Sequence, residues 1–267
     1  MKIIKGTSKG FFGNVLDAAR HISHALNENK EWYVDWESTP YNDQTYGLNA
    51  WEYFYNNIYY PKESTDIVGD YTDLKLSKGS DFRQTMNYIL TNFIKLNDKT
   101  KNIVTNTLSE LKVNNKTLGI HIRKTDKLIG HIFGEPPSAF PLDVSVYIKY
   151  IDKILPIFDN LFIASDETED LKKIIEYVSS VHNKPISFID AFRSQGSVSI
   201  HNNYSNISGY KKGLDVLTDC YILSNCGHLI RSTSNVGSTA QFLNLNLTHT
   251  NINEQELRDF REKEYNL

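Results

Sequence analysis

Arg123, Lys124, Asp126 and Lys127 stand within five residues, directly after the short apolar run Thr117-Leu118-Gly119-Ile120-His121-Ile122. Such a run, preceded by the polar cluster Asn114-Asn115-Lys116, predicts a strand of a parallel sheet. Ligands of open α/β sheets bind just beyond the carboxyl ends of strands, so these cations sit where an anion would arrive. Arginine offers a planar fork of donors and lysine a point charge, and both suit phosphate. Two further segments have the same form. Leu161-Phe162-Ile163-Ala164-Ser165 ends in Asp166, and His228-Leu229-Ile230 runs into Arg231 and then Ser232-Thr233-Ser234-Asn235, residues that cap a helix. Together the three strand ends offer cations, a helix N-terminus and carboxylates. That set suits a sugar nucleotide, with the cations and helix end on the diphosphate and the acids on ribose or base edges. Each residue alone has a plainer reading: a solvated charged turn, a core histidine at His121, a helix cap at Asp166, Ser232 or Thr233, and a lysine partner for Asp219.

The elements that must position these residues can be read in order. Ile3-Ile4 opens a strand, and Gly6 to Asn14 carries three glycines. Val15, Leu16, Ala18, Ala19, Ile22, Ala25 and Leu26 then fall at helical spacing, and Trp32 to Trp36 reads as a second strand, completing a βαβ unit. The glycine spacing is neither a P-loop nor a dinucleotide fingerprint, so a tight turn and a phosphate-approaching loop both remain open. Residues 37–80 are aromatic and turn-rich without a clean period, which fits either a stacking surface or a satellite core. Two helices follow, one carrying Met86 and Phe93, the other Val104 and Leu111. The polar stretch 112–116 marks a boundary between a unit 1–112 and a unit 113–267. In the second unit strands at 117–122, 161–166, 186–189 and 228–230 alternate with helical patterns, which implies a parallel sheet. A charged helix over 254–265 ends the chain.

Composition narrows the class. A formal net charge of −3 over 267 residues provides no global field for nucleic acid or anionic lipid, so any anion site must be local. The two cysteines, Cys220 and Cys226, lack CxxC spacing and read as buried reduced thiols, which predicts a cytoplasmic protein without a structural zinc site. Neither a signal peptide nor an integral membrane segment is expected.

His121-Ile122-Arg123-Lys124-Thr125-Asp126-Lys127 resembles the HxRRTDK signature of the α1,6-fucosyltransferases. Phe162 to Glu167 resembles the second motif of that family, and Leu217 to Ser224 with His228 to Asn235 the third. The opening, Gly10-Phe11-Phe12-Gly13-Asn14 with Tyr33-Val34-Asp35-Trp36, is similar to that of small bacterial and viral sugar transferases. The resemblance implies a GT-B-like architecture of two Rossmann-like domains facing a cleft, the first on the acceptor side and the second binding the nucleotide sugar. It implies an inverting transfer of fucose from GDP-fucose to a glycan hydroxyl, with no cofactor and no metal, and the chain has no Asp-x-Asp motif. Carried over by position, Arg123 would bind the β-phosphate, His121 and Asp219 the guanosine part, and Ser234 a phosphate oxygen, with Ser232, Thr233 and Asn235 beside it. Asp166 would hold a loop or the nucleotide side, and Asp126 and Lys127 would organise the site. Two departures stand out. The second arginine of the signature is Lys124, which keeps charge and loses the fork. The acid expected shortly after Lys127 is missing, leaving Glu135 and His131 as substitutes for the base. A transferase for another nucleotide sugar, or a non-catalytic glycan- or nucleotide-binding protein, would use the same scaffold.

Overall fold

A computed structural model describes residues 2–57, 80–124, 142–194 and 207–256. The N-terminal residues form a minimal βαβ. Strand β1 (Lys2–Lys5) pairs in parallel with β2 (Trp32–Asp35), and helix α1 (Phe11–Asn27) makes the crossover. The helix starts at Phe11, earlier than the apolar spacing from Val15 suggests. Phe11 and Phe12 are 2% exposed and extend its buried face by a turn. The glycine loop is therefore shorter than expected. It is stapled by the buried Asn14, whose side chain accepts from the Thr7 N–H at 2.8 Å and donates to the Thr7 and Lys9 carbonyls.

The aromatics after β2 settle into core. Trp36, Tyr41 and Phe54 meet the Phe11 ring edge-on at 5.1–5.2 Å, a favoured aromatic geometry, and Trp51 and Tyr55 are equally buried. Tyr59 and Tyr60 lie outside the described residues. Helices α2 (Ser80–Asn92) and α3 (Asp98–Glu110) follow as expected. Arg83 on α2 donates to the carbonyls of Gln241, Asn244 and Leu247 at 2.9–3.1 Å, and Asn87 to that of Phe242 at 2.7 Å. These donors satisfy carbonyls that a helix end leaves open, and they fasten the first half of the chain to the end of the second.

The larger sheet and its helices follow as β3 (Thr117–Ile122), α4 (Val144–Ile154), β4 (Asn160–Ser165), α5 (Thr168–Val181), β5 (Ile186–Ser187), α6 (Gly209–Ser224), β6 (His228–Arg231), α7 (Asn235–Leu243) and β7 (Thr248–Asn251). Its five strands are all parallel, in the order β5-β4-β3-β6-β7. Alternation in β3 sends Leu118, Ile120 and Ile122 into a core with α4 and α5, while Gly119 faces α6. A side chain at Gly119 would stand 3.0 Å from Cys226 Sγ, so its absence lets the end of α6 press on the sheet. The strand expected over 186–189 shrinks to two residues. The edge strand β7 had no apolar signature to announce it, since Thr248-His249-Thr250-Asn251 is polar throughout. Residues 252–256 are helical, and the remainder of the predicted C-terminal helix lies outside the described residues. Among the described residues no helix is long and apolar enough to cross a membrane.

Gly213 shows how tightly α6 sits on the aromatic core. A methyl there would lie 2.4 Å from Phe54 Cζ and 3.0 Å from Phe11 Cε2. Gly213→Ala gains about 1 kcal/mol of helix propensity, but overpacking a closed core costs about 1–3 kcal/mol. The expected result is a melting temperature lowered by roughly 3–6 °C in calorimetry, and an unchanged or raised value would contradict this packing.

Candidate active site

Strand order reverses at β3. From β3 the chain moves outward through β4 to β5, then returns to the other side of β3 for β6 and β7. Loops leaving β3 and β6 therefore diverge, and a crevice opens at their carboxyl ends. A cavity of about 320 Å³ occupies it. Its walls are the ends of β3 and β4, the first turns of α1 and α7, one face of α6, and Tyr41.

The sheet brings together most of the residues expected there. His121, Arg123, Asp166, Asp219, Thr233, Ser234 and Asn235 all line the cavity. Asp166 uses both carboxylate oxygens on the turn after β3. It takes the Arg123 Nη1 donor at 2.8 Å and the Lys124 N–H at 3.1 Å. Ser232 does not line the cavity. It is buried, and its Oγ accepts the Arg123 N–H at 3.2 Å, tying the two diverging loops together. Asn253 accepts the Thr233 N–H at 2.8 Å and Asn251 bonds its hydroxyl at 3.3 Å, so polar residues in and after β7 position the loop leading into α7. Ser234 caps α7 by accepting the Gly237 N–H at 3.1 Å, and its hydroxyl also meets His121 Nδ1 at 3.1 Å. Burial, with Arg123 and Arg231 nearby, holds His121 down to about 3, so it is a neutral imidazole at physiological pH.

Lys124 points elsewhere. Its ammonium bonds both oxygens of Asp170 on α5 at 2.9 Å, outside the cavity lining. Glu167 likewise turns away to cap α5, accepting the Asp170 N–H at 2.7 Å. Asp126, Lys127, His131 and Glu135 lie outside the described residues. Sequence reasoning missed Tyr41, Phe192, Lys212 and Asp215 as cavity residues. The signal for the last two was present: Lys212, Asp215, Val216 and Asp219 share one helical face.

Asp219 is the unusual group. Its Oδ1 is buried without a hydrogen-bond partner among the described residues, and burial pushes the carboxyl up to about 8, against the pull of Arg193. The folded protein keeps this proton to a higher pH than the unfolded chain, whose aspartates titrate near about 4. Unfolding between those values releases a proton, so this group lowers stability progressively as pH rises. Asp219→Asn removes that penalty. Its melting temperature should exceed that of the wild type by roughly 5 °C more at about pH 8 than at about pH 5, and an equal difference at both would contradict the assignment.

Neither protein-family models nor curated protein sequences match the chain. Among solved structures it resembles the α1,6-fucosyltransferase NodZ co-crystallised with GDP, at TM-score 0.58 and 16% identity over 91% of each chain. The same enzyme soaked with GDP-fucose aligns at TM-score 0.57 and 16% identity, again over 91% of each chain. Fucosyltransferase NodZ from Bradyrhizobium aligns at 0.56 and 15%, over 91% of this chain and 92% of that one. The chain thus has the α/β, GT-B-like fold of an α1,6-fucosyltransferase, as the sequence motifs implied.

Proposed function

We propose that the protein transfers fucose from GDP-fucose to a glycan hydroxyl, with inversion and without a protein-held metal. The observation that carries this reading is the meeting of Arg123, the first turn of α7 and Asp219 in one crevice at the sheet reversal. The fold it shares with NodZ supports it, because that enzyme was crystallised with GDP and soaked with GDP-fucose.

The division of labour follows from chemistry. Arg123 and the start of α7, with Thr233, Ser234 and Asn235, face the diphosphate, where a fork of donors and a helix N-terminus favour negative charge. Asp219 and His121 take the guanosine. Asp219 gives up its proton to solvent as the guanine edge arrives, because the two N–H donors of that edge favour the carboxylate, which accepts both and gains the missing partner for its buried oxygen. The acceptor hydroxyl attacks the anomeric carbon in line as the bond to the β-phosphate breaks. Charge then builds on the departing GDP, and Arg123, already oriented by Asp166, stabilises it without reorganisation. Asp126 and Lys127 organise the site, and the base comes from the segment beyond them, where His131 and Glu135 stand. Residues 1–112 form the acceptor-side domain and 113–267 the donor-side domain. Cys220 and Cys226, both free and buried, fit a reducing, cytoplasmic setting.

The test is GDP release from GDP-fucose in the presence of EDTA, with and without candidate glycans. Glycan-dependent release is expected, and Arg123→Lys, which keeps the charge but loses the fork, should lower turnover by roughly 100-fold. Thermal stabilisation by GDP without turnover on any glycan would favour a binding protein. Release from UDP- or ADP-sugars in preference would favour another donor, and an Arg123→Lys variant with full activity would remove Arg123 from its role.

A further inference from the structure

We infer that Lys212, on the first turns of α6, is the second cation on the donor diphosphate, in place of the Lys124 that the signature suggests. This rests on reading the crevice as a nucleotide-sugar site. The charges around it are mostly spent: Arg123 is paired with Asp166, Lys124 with Asp170, and Lys211 with Asp215. A nucleoside diphosphate carries more than one negative charge, and a neutralised Arg–Asp pair with a helix N-terminus leaves that charge largely unanswered. Lys212 lines the cavity and is half-buried, and no carboxylate forms an ion pair with it among the described residues. Asp215, one turn on, could have served and is engaged by Lys211 and by the Phe192 N–H instead. Burial lowers the Lys212 pKa, as it does for an ammonium given no counter-charge by the protein.

Its position along the helix agrees. Gly209, one turn before Lys212, packs on the backbone of Tyr41 and Asn42, where an added Cβ would meet the Tyr41 carbonyl carbon at 2.5 Å. Tyr41 lines the cavity and feels the charge of Arg123. Lys212 thus belongs to the Arg123 end of the crevice. Asp219 follows two turns later, about 10 Å along the helix axis, a separation on the order of that between a base edge and its terminal phosphate. One face of α6 therefore measures the ligand, with an acid for the base and a lysine for the phosphate.

Calorimetric titrations of wild type, Lys212→Met and Lys212→Arg with GDP, guanosine and inorganic pyrophosphate test this. Lys212→Met should weaken GDP and pyrophosphate by about tenfold or more and leave guanosine within about twofold, while Lys212→Arg stays close to wild type for all three. Lys212→Met binding GDP and pyrophosphate as tightly as wild type overturns the inference. Equal weakening of all three ligands also overturns it, since a merely structural residue would act that way. If wild type binds pyrophosphate and not GDP, the nucleotide reading fails while Lys212 is still judged on pyrophosphate: loss in Lys212→Met supports the lysine, and retention removes it.

Discussion

Everything in this site depends on the reversal of strand order at β3. A parallel sheet that grows in one direction only has its connections side by side and leaves no gap at its edge. Here the chain leaves β5 and must pass over the sheet to reach the far side of β3, and α6 lies on that path. The reversal sets the crevice between the β3 and β6 loops. It also lays α6 along one wall, which is why a helix, and not another loop, supplies Lys212, Asp215 and Asp219. Gly119 and Gly213 are the local conditions for it, because side chains at either position would push α6 off the strand or off the Phe54 ring.

Within the crevice the protein neutralises some charges and exposes others to the ligand. Asp166 holds the Arg123 fork and the following backbone N–H, so the cation is fixed before any phosphate arrives. Ser232 and Ser234 link the β6 loop to Arg123 and His121, and Asn251 in β7 with Asn253 just after it braces that loop. Against this braced background stand a buried acid with an unbonded oxygen and a lysine with no acidic partner among the described residues. Groups like these lower stability in the free protein, and active sites are where such groups collect.

The parts legible from sequence were those in which burial left a pattern. Thr117 to Ile122 reads as a strand because both of its faces are covered, and all six of its residues are buried. The cap expected within Ser232 to Asn235 falls on Ser234, a side chain of the type that accepts from free N–H groups. Strand β7 was illegible because its task is polar: its asparagine holds a loop, and its threonines meet both nitrogens of His228. Spacing after β3 identified Arg123 and Lys124 as cations at a strand end, but successive residues leaving a strand diverge, so only Arg123 faces the cavity while Lys124 reaches α5. The aromatic stretch beyond Trp36 had no period because it wraps the Phe11 ring from several directions as irregular chain.

A crystal structure of the protein with GDP bound tests the central claim most directly. It should place the diphosphate between the Arg123 guanidinium and the first turn of α7, with the guanine edge on the Asp219 carboxylate. GDP bound outside the crevice at the β3–β6 reversal, or lying in it with the guanine at Arg123 and the phosphates at Asp219, would contradict it.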